Sequence, residues 1–110
     1  MSSNQIMIVM GVPTEDADRL LDAISSAGGG IIGDYTHCGF MNDGIGRFKP
    51  NARANPQLGE KGQVNAVLET RIETFCNRNI AKQVVAAIRE AHPYEEPVIY
   101  LIPLLSEDDL

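Results

Sequence analysis

Four basic side chains, Arg47, Lys49, Arg53 and Lys61, fall within fifteen positions of a glycine-rich stretch, opposed there only by Glu60. Guanidinium forks and an ammonium group beside the backbone N–H groups of Gly44 and Gly46 suit a phosphate or a carboxylate. The rest of the chain carries five basic and fourteen acidic residues, so this stretch is a positive feature on an acidic body. It is not a P-loop, because no Gly-Lys-Ser/Thr follows the glycines and no helix succeeds them. The plain alternative is a solvated hairpin whose glycines serve only turn geometry.

A second group has ligand chemistry for zinc or copper. His92, Glu95 and Glu96 lie close together, and His37 adjoins Cys38, but no HxxxH or CxxC spacing closes a site locally. Against a metal stands the reading of His92-Pro93-Tyr94 as a structural turn, with Pro93 breaking a helix whose last carbonyls His92 can bond. Glu69 and Glu73 flank Arg71 on one side of a strand, which suits acid–base work or, preferably, an ion-pair ladder across a subunit interface. Cys38 or Cys76 with His37 or His92 has the makings of a nucleophile and base. On a strand, however, His37 and Cys38 point to opposite faces and Cys76 falls on the core side, so structural cysteines are expected and an enzyme is not.

These side chains need elements to hold them. Gln5–Val12 is a short apolar run that reads as a buried strand, closed by Pro13. Thr14 is positioned to cap a helix with Ala17, Leu20, Leu21, Ile24 and Ala27 on one face and Gly28 as its stop. Residues 31–40 return to strand-like composition. Asn65–Asn77 alternates with period two, placing Thr70, Ile72, Thr74 and Cys76 on one face and Glu69, Arg71 and Glu73 on the other. Between them, residues 41–63 read as a long loop rich in Gly, Pro and Asn. Asn79 can cap a second helix with Ile80, Val84, Ala87, Ile88 and Ala91 inward. Residues 97–104 read as a strand buried on both faces, and residues 106–110 as a loose acidic tail.

The order β-α-β-β-α-β predicts an α+β, ferredoxin-like sandwich over residues 1–110: a four-stranded antiparallel sheet with two helices on one face. Pairing Phe40 with Val64 puts Tyr35 and His37 beside Glu69, Arg71 and Glu73 on the bare face, an expected subunit interface. The same register sets Cys38 opposite Ala66, far from Cys76.

Of 110 residues, 44% are hydrophobic and 22% charged, which is the composition of a globular chain, with a net charge of -6. An acidic surface argues against nucleic-acid and anionic-membrane binding. The five-residue apolar run at Ile6–Met10 makes neither a secretion signal nor a span, and two isolated cysteines point to a reducing cytoplasm.

Several segments carry a family resemblance. Gly44-Ile-Gly-Arg-Phe-Lys-Pro50, then Ala54-Asn-Pro56 and the Gly59 to Gly62 turn, resemble the GxGxF-x-P … ANP-x-x-G-x-x-G pattern of the YqfO-type domain. That domain occurs inserted in Nif-three-like dinuclear-metal proteins and also as a free-standing chain. Ala91-His-Pro-Tyr-Glu-Glu-Pro97 is similar to its AHPYEEP motif, and Glu69-Thr-Arg-Ile-Glu73 to its ExRIE strand. The His-Pro-Tyr-Glu part also resembles CutA proteins. Arg53 stands where the family usually has Gly. The resemblance implies a PII/CutA-like homotrimer with ligands in clefts between neighbours, and it assigns no part of this chain to the dinuclear metal site.

The resulting expectation is a PII-like regulator that binds an anionic metabolite or nucleotide through Gly44, Gly46, Arg47, Lys49, Arg53 and Asn55, and presents residues 41–63 to a protein partner. Two other readings stay open: a CutA-like divalent-metal module using His92 and His37, and a trimerisation domain with no ligand, held by Tyr35, Glu69, Arg71 and Glu73. No cofactor is required, a nucleotide or a divalent metal being the candidates.

Overall fold

The computed structural model describes residues 4–110. Its elements run β1 (Gln5–Pro13), α1 (Ala17–Ser26), β2 (Phe40–Phe48), β3 (Asn65–Asn77), α2 (Ala81–Ala91) and β4 (Ile99–Pro103). The strands form one antiparallel sheet in the order β2-β3-β1-β4. This is the ferredoxin-like arrangement expected from the sequence, with both helices on one side.

Alternation explains the core. Ile6, Ile8, Met10 and Val12 of β1 face the helices, and their register partners Cys76, Thr74, Ile72 and Thr70 on β3 face the same way. Leu20 and Ile24 of α1 and Val84 and Ile88 of α2 close over them, all fully buried. The two core threonines are satisfied: Thr74 donates to the Cys38 carbonyl at 2.8 Å, and the Thr70 hydroxyl sits 2.9 Å from Asp43 Oδ1. With Thr70 and Ile72 turned inward, Glu69, Arg71 and Glu73 project from the uncovered face, as the period-two pattern requires.

The helix ends differ from expectation at their starts and agree at the first stop. Neither Thr14 nor Asn79 caps; each helix is entered through a short 3-10 turn, Thr14–Asp16 and Arg78–Ile80, without a side-chain cap bond. Thr14 instead meets the Thr70 hydroxyl at 3.1 Å. At the end of α1, Gly28 N–H reaches the Ser25 carbonyl and Gly29 N–H reaches that of Ile24, with Gly28 at φ +100. That is a Schellman closure, and it needs the left-handed residue glycine supplies.

Residues 31–38 are not a strand. Gly30, Gly33 and His37 all have positive φ, which breaks extended geometry, and Cys38 N–H closes the segment onto the Gly30 carbonyl at 2.9 Å. The pairing therefore begins at Phe40, which lies opposite Glu73 rather than Val64. Two expectations fall with that register. Tyr35 is in the closed loop, 74% exposed and off the sheet, and Cys38 stands beside Thr74 near the Cys76 end of β3. Both cysteines are free.

The expected 41–63 loop is also shorter, because Met41–Phe48 belongs to β2. β4 is an edge strand instead of a doubly buried one: Tyr100, Leu101 and Ile102 are exposed, since only β1 pairs with it. The acidic tail is ordered into a 3-10 turn, Glu107–Asp109, with the Asp109 carboxylate accepting the Ser106 N–H at 2.8 Å.

Candidate ligand-binding site

The open sheet face is paved with glycine where β1 and β2 flank β3. Gly11, Gly44 and Gly46 all point there, opposite or beside Glu69 and Arg71. A Cβ on Gly11 would stand 2.7 Å from Glu69 Oε1, and one on Gly46 would overlap the same carboxylate. The missing side chains let Glu69 lie flat between the two strands, a close approach of the kind that glycine within a strand marks.

The turn after α2 supplies the partner. Pro93 ends the helix, and His92, buried at its C-terminus, is engaged through both ring nitrogens. Nδ1 accepts the Tyr94 N–H at 3.1 Å, so Nε2 carries the proton and donates to the Gly11 carbonyl at 2.7 Å. Burial lowers the His92 pKa below its ordinary 6.5, the direction of a neutral imidazole. This latch ties the turn to β1 and aims Tyr94 across the open face. The Tyr94 ring packs near Phe48 and His92, with centroids 6.3 and 4.9 Å away, and its hydroxyl donates to Glu69 Oε2 at 2.7 Å. Burial, followed by that bond to Glu69, raises the pKa of the phenol well above its usual value.

The connection from β2 to β3 folds over the same place. Asn51 Oδ1 accepts the N–H groups of Arg53 and Ala54, and Glu95 Oε1 accepts that of Asn55 at 2.9 Å. Between this connection, the His92–Glu96 turn and the sheet lies a cavity of about 690 Å³. That is within the range of small-molecule sites. Lys49 and Arg71 line it with Glu69, Tyr94, Phe48 and Tyr100.

Of the residues expected to bind ligand, Gly44, Gly46, Arg47 and Lys49 line this cavity. Arg47 alternates with Gly46 and Phe48, so it reaches the cavity from the opposite pleat. Arg53 and Asn55 are not among the lining residues; their N–H groups serve to fold the connection. The candidate metal ligands His92 and His37 each have other partners. His37 bonds Asp22 Oδ1 at 3.0 Å and the Thr36 hydroxyl at 2.9 Å, apart from the doubly engaged His92. Among the described residues no group of three or more His, Cys, Asp or Glu side chains converges on a common point. Within one copy of the chain Arg71 Nε and Glu73 Oε1 stand 4.0 Å apart, while Glu69 turns to Tyr94. Cys76 is buried, which raises its thiol pKa and holds it un-ionised, a structural cysteine as expected.

Tyr94 and Gly11 escaped the reading from sequence. Tyr94 sits inside a motif read only for its histidine and carboxylates, and a lone glycine in an apolar strand was the one signal of close approach.

No protein-family model matches the chain. Solved structures place the fold: the PII-like protein CutA from Nostoc superimposes with a TM-score of 0.65 over 90% of this chain and 80% of its own, at 16% identity. The molecule is therefore a CutA/PII-like ferredoxin fold. A Bacillus cereus protein related to NIF3 superimposes with a TM-score of 0.79 at 36% identity, over 94% of this chain and 26% of that one. A Halalkalibacterium halodurans protein named GTP cyclohydrolase 1 type 2 homolog is 40% identical over 102 residues, 93% of this chain and 27% of that protein. The chain is thus similar to one segment of these longer proteins, the NIF3-related protein and the GTP cyclohydrolase 1 type 2 homolog. It spans about a quarter of their length. No helix among the described residues is long and apolar enough to cross a membrane.

Proposed function

We propose that this protein is a non-enzymatic, cytoplasmic binding module of PII type, which takes a small anionic metabolite or nucleotide in the open-face cavity. The carrying observation is convergence. Residues from the Gly44–Pro50, Glu69–Glu73 and His92–Glu96 segments, far apart in the chain, line one cavity, and three cations, Arg47, Lys49 and Arg71, are among them. The ligand's phosphate or carboxylate pairs with those cations. Ligand contact orders the connection that Glu95 already holds through Asn55, and the changed surface is read by a protein partner. The apolar side chains of Tyr100 and Val98 beside the cavity fit a cleft completed by a neighbouring copy, in a homotrimer.

Native mass spectrometry with ATP and, separately, zinc chloride tests this reading. A trimer that gains up to three ATP, and loses at least tenfold in affinity in the Lys49→Ala/Arg71→Ala double variant, is the expected result. Zinc uptake without ATP would move the function to a metal module, and a bare trimer would leave an assembly domain.

A further inference from the structure

The cations account for the anionic part of a ligand, but the most constrained group in the cavity is an anion. Glu69 lies on the glycine pavement with Oε2 held by the Tyr94 hydroxyl, and among the described residues no donor reaches Oε1. An acceptor fixed in place by a phenol, two glycines and a latched turn, and left with a free oxygen, is suited to a ligand N–H. Around it the walls are flat and partly aromatic: bare peptide at Gly11, Gly44 and Gly46, with Phe48 and Tyr100 at the sides. Such walls fit a planar ring. Arg71, two residues from Glu69 on the same face of β3, stands about 7 Å along the strand. One cavity thus offers a fixed N–H acceptor and, within the span of a small molecule, cations for an anion.

We infer that Glu69 Oε1 is the specificity determinant of this cavity, accepting an N–H from a planar heteroaromatic ring whose anionic substituent reaches Arg71 and Lys49. The ligand class is a ring bearing both an N–H donor and an acid, as in a nucleotide with an amino-substituted base. This rests on the proposed ligand-binding function and narrows it. Tyr94 is a positioning residue: it touches the ligand's acceptor, and Gly11 and Gly46 let that acceptor lie against the sheet, where the edge of a ring can approach it.

The experiment is calorimetric binding of three probes to the full chain: ATP, purine riboside triphosphate and inorganic triphosphate. Purine riboside triphosphate keeps the ring and the phosphates but has no N–H on its base. ATP binding at least tenfold more tightly than purine riboside triphosphate is expected, with inorganic triphosphate weakest. In Glu69→Gln the side-chain oxygen stays with the Tyr94 hydroxyl and an NH₂ faces the ligand, so the preference for ATP should shrink to within about twofold. Tyr94→Phe should shrink it in the same direction while binding of inorganic triphosphate stays unchanged, which a merely destabilised fold would not do. Equal affinity for ATP and purine riboside triphosphate in the unaltered protein overturns the assignment of Glu69 and leaves the anion site standing. Binding of none of the three overturns both. A circular-dichroism spectrum and melting curve on each variant identify any that has failed to fold, and Gly46→Ala, which displaces the Glu69 carboxylate from the opposite side, then supplies the second test: it too must abolish the preference.

Discussion

Tyr94 and Glu69, twenty-five residues apart in the chain, meet where the phenol donates to Oε2 at 2.7 Å, and this bond fastens the turn after α2 to the centre of the sheet. Removing the hydroxyl leaves the Phe48 contact in place but strips a half-buried carboxylate of its donor. Tyr94→Phe should therefore lower stability by about 1.5–3 kcal/mol, the range for a hydrogen bond to a charged group. Chemical denaturation with an unchanged slope would confirm it. A loss below about 0.5 kcal/mol would mean that water replaces the phenol at no cost.

His92 makes stability depend on pH in a stated direction. Burial holds its folded pKa below the ordinary 6.5, although Glu69 and Asp16 pull it upward and Arg19 pushes it down. As pH falls through 6.5 the unfolded chain takes up a proton before the folded one does, so it gains on the folded state. The latch's contribution is thus complete above pH 6.5 and is lost as pH drops through the folded value. His92→Gln keeps a donor for Gly11 and an acceptor for Tyr94 without titrating. Urea midpoints at pH 7.5 and 5.5 should fall further for the unaltered protein than for His92→Gln, and equal falls would remove His92 as the titrating group.

The topology and core were legible in the sequence, because period-two alternation across Asn65–Asn77 and helical spacing around Leu20, Ile24, Val84 and Ile88 survive any register. The register itself was not. It depended on whether residues 31–38 were extended, and His37 at φ +59 is a conformation that composition does not announce. That error moved Tyr35 and Cys38 to wrong places while leaving Glu69, Arg71 and Glu73 on the right face. The site was half legible. Gly44, Gly46, Arg47 and Lys49, read as ligand chemistry, line the candidate cavity, whereas Arg53 and Asn55 lie outside its lining and give their backbone N–H groups to Asn51 and Glu95. Tyr94 became visible only once three distant segments were brought together. Strand 97–104 misled because unbroken apolarity fits burial by the same chain and burial by another chain equally well.

Two glycines in the 30–38 loop separate backbone strain from crowding. Gly33 is at φ +54 with nothing within 4 Å of an added Cβ, whereas at Gly30, φ +67, the Cβ would stand 2.8 Å from the Cys38 carbonyl oxygen. Gly33→Ala should cost about 1 kcal/mol, the left-handed penalty alone. Gly30→Ala meets backbone that closes the loop and bonds Thr74, so it should cost at least about 1 kcal/mol more than Gly33→Ala. Thermal melts of the two variants side by side decide it. Equal costs would show that the loop neck yields freely.

Edge strand β4 carries its apolar side chains into solvent in one copy of the chain, with Tyr100 59%, Leu101 49% and Ile102 44% exposed. An unprotected edge of that kind invites pairing, and single chains usually blunt it with charge or proline. Here Pro103 stands at the strand's end and no charged residue lies within it. Tyr100 and Ile102 alternate onto the open face, and Tyr100 also lines the cavity, so a subunit seated there would bury the apolar edge and wall the site together. Ile102→Glu puts a charge at that contact without touching the core. Native mass spectrometry should give a trimer for the unaltered chain and a folded monomer for Ile102→Glu, with an unchanged far-ultraviolet dichroism spectrum. The monomer should also bind ATP at least tenfold more weakly, because the wall around Tyr100 is lost. A monomeric unaltered chain would detach the cavity from assembly, and a trimer that persists with the glutamate would place the contact on another face.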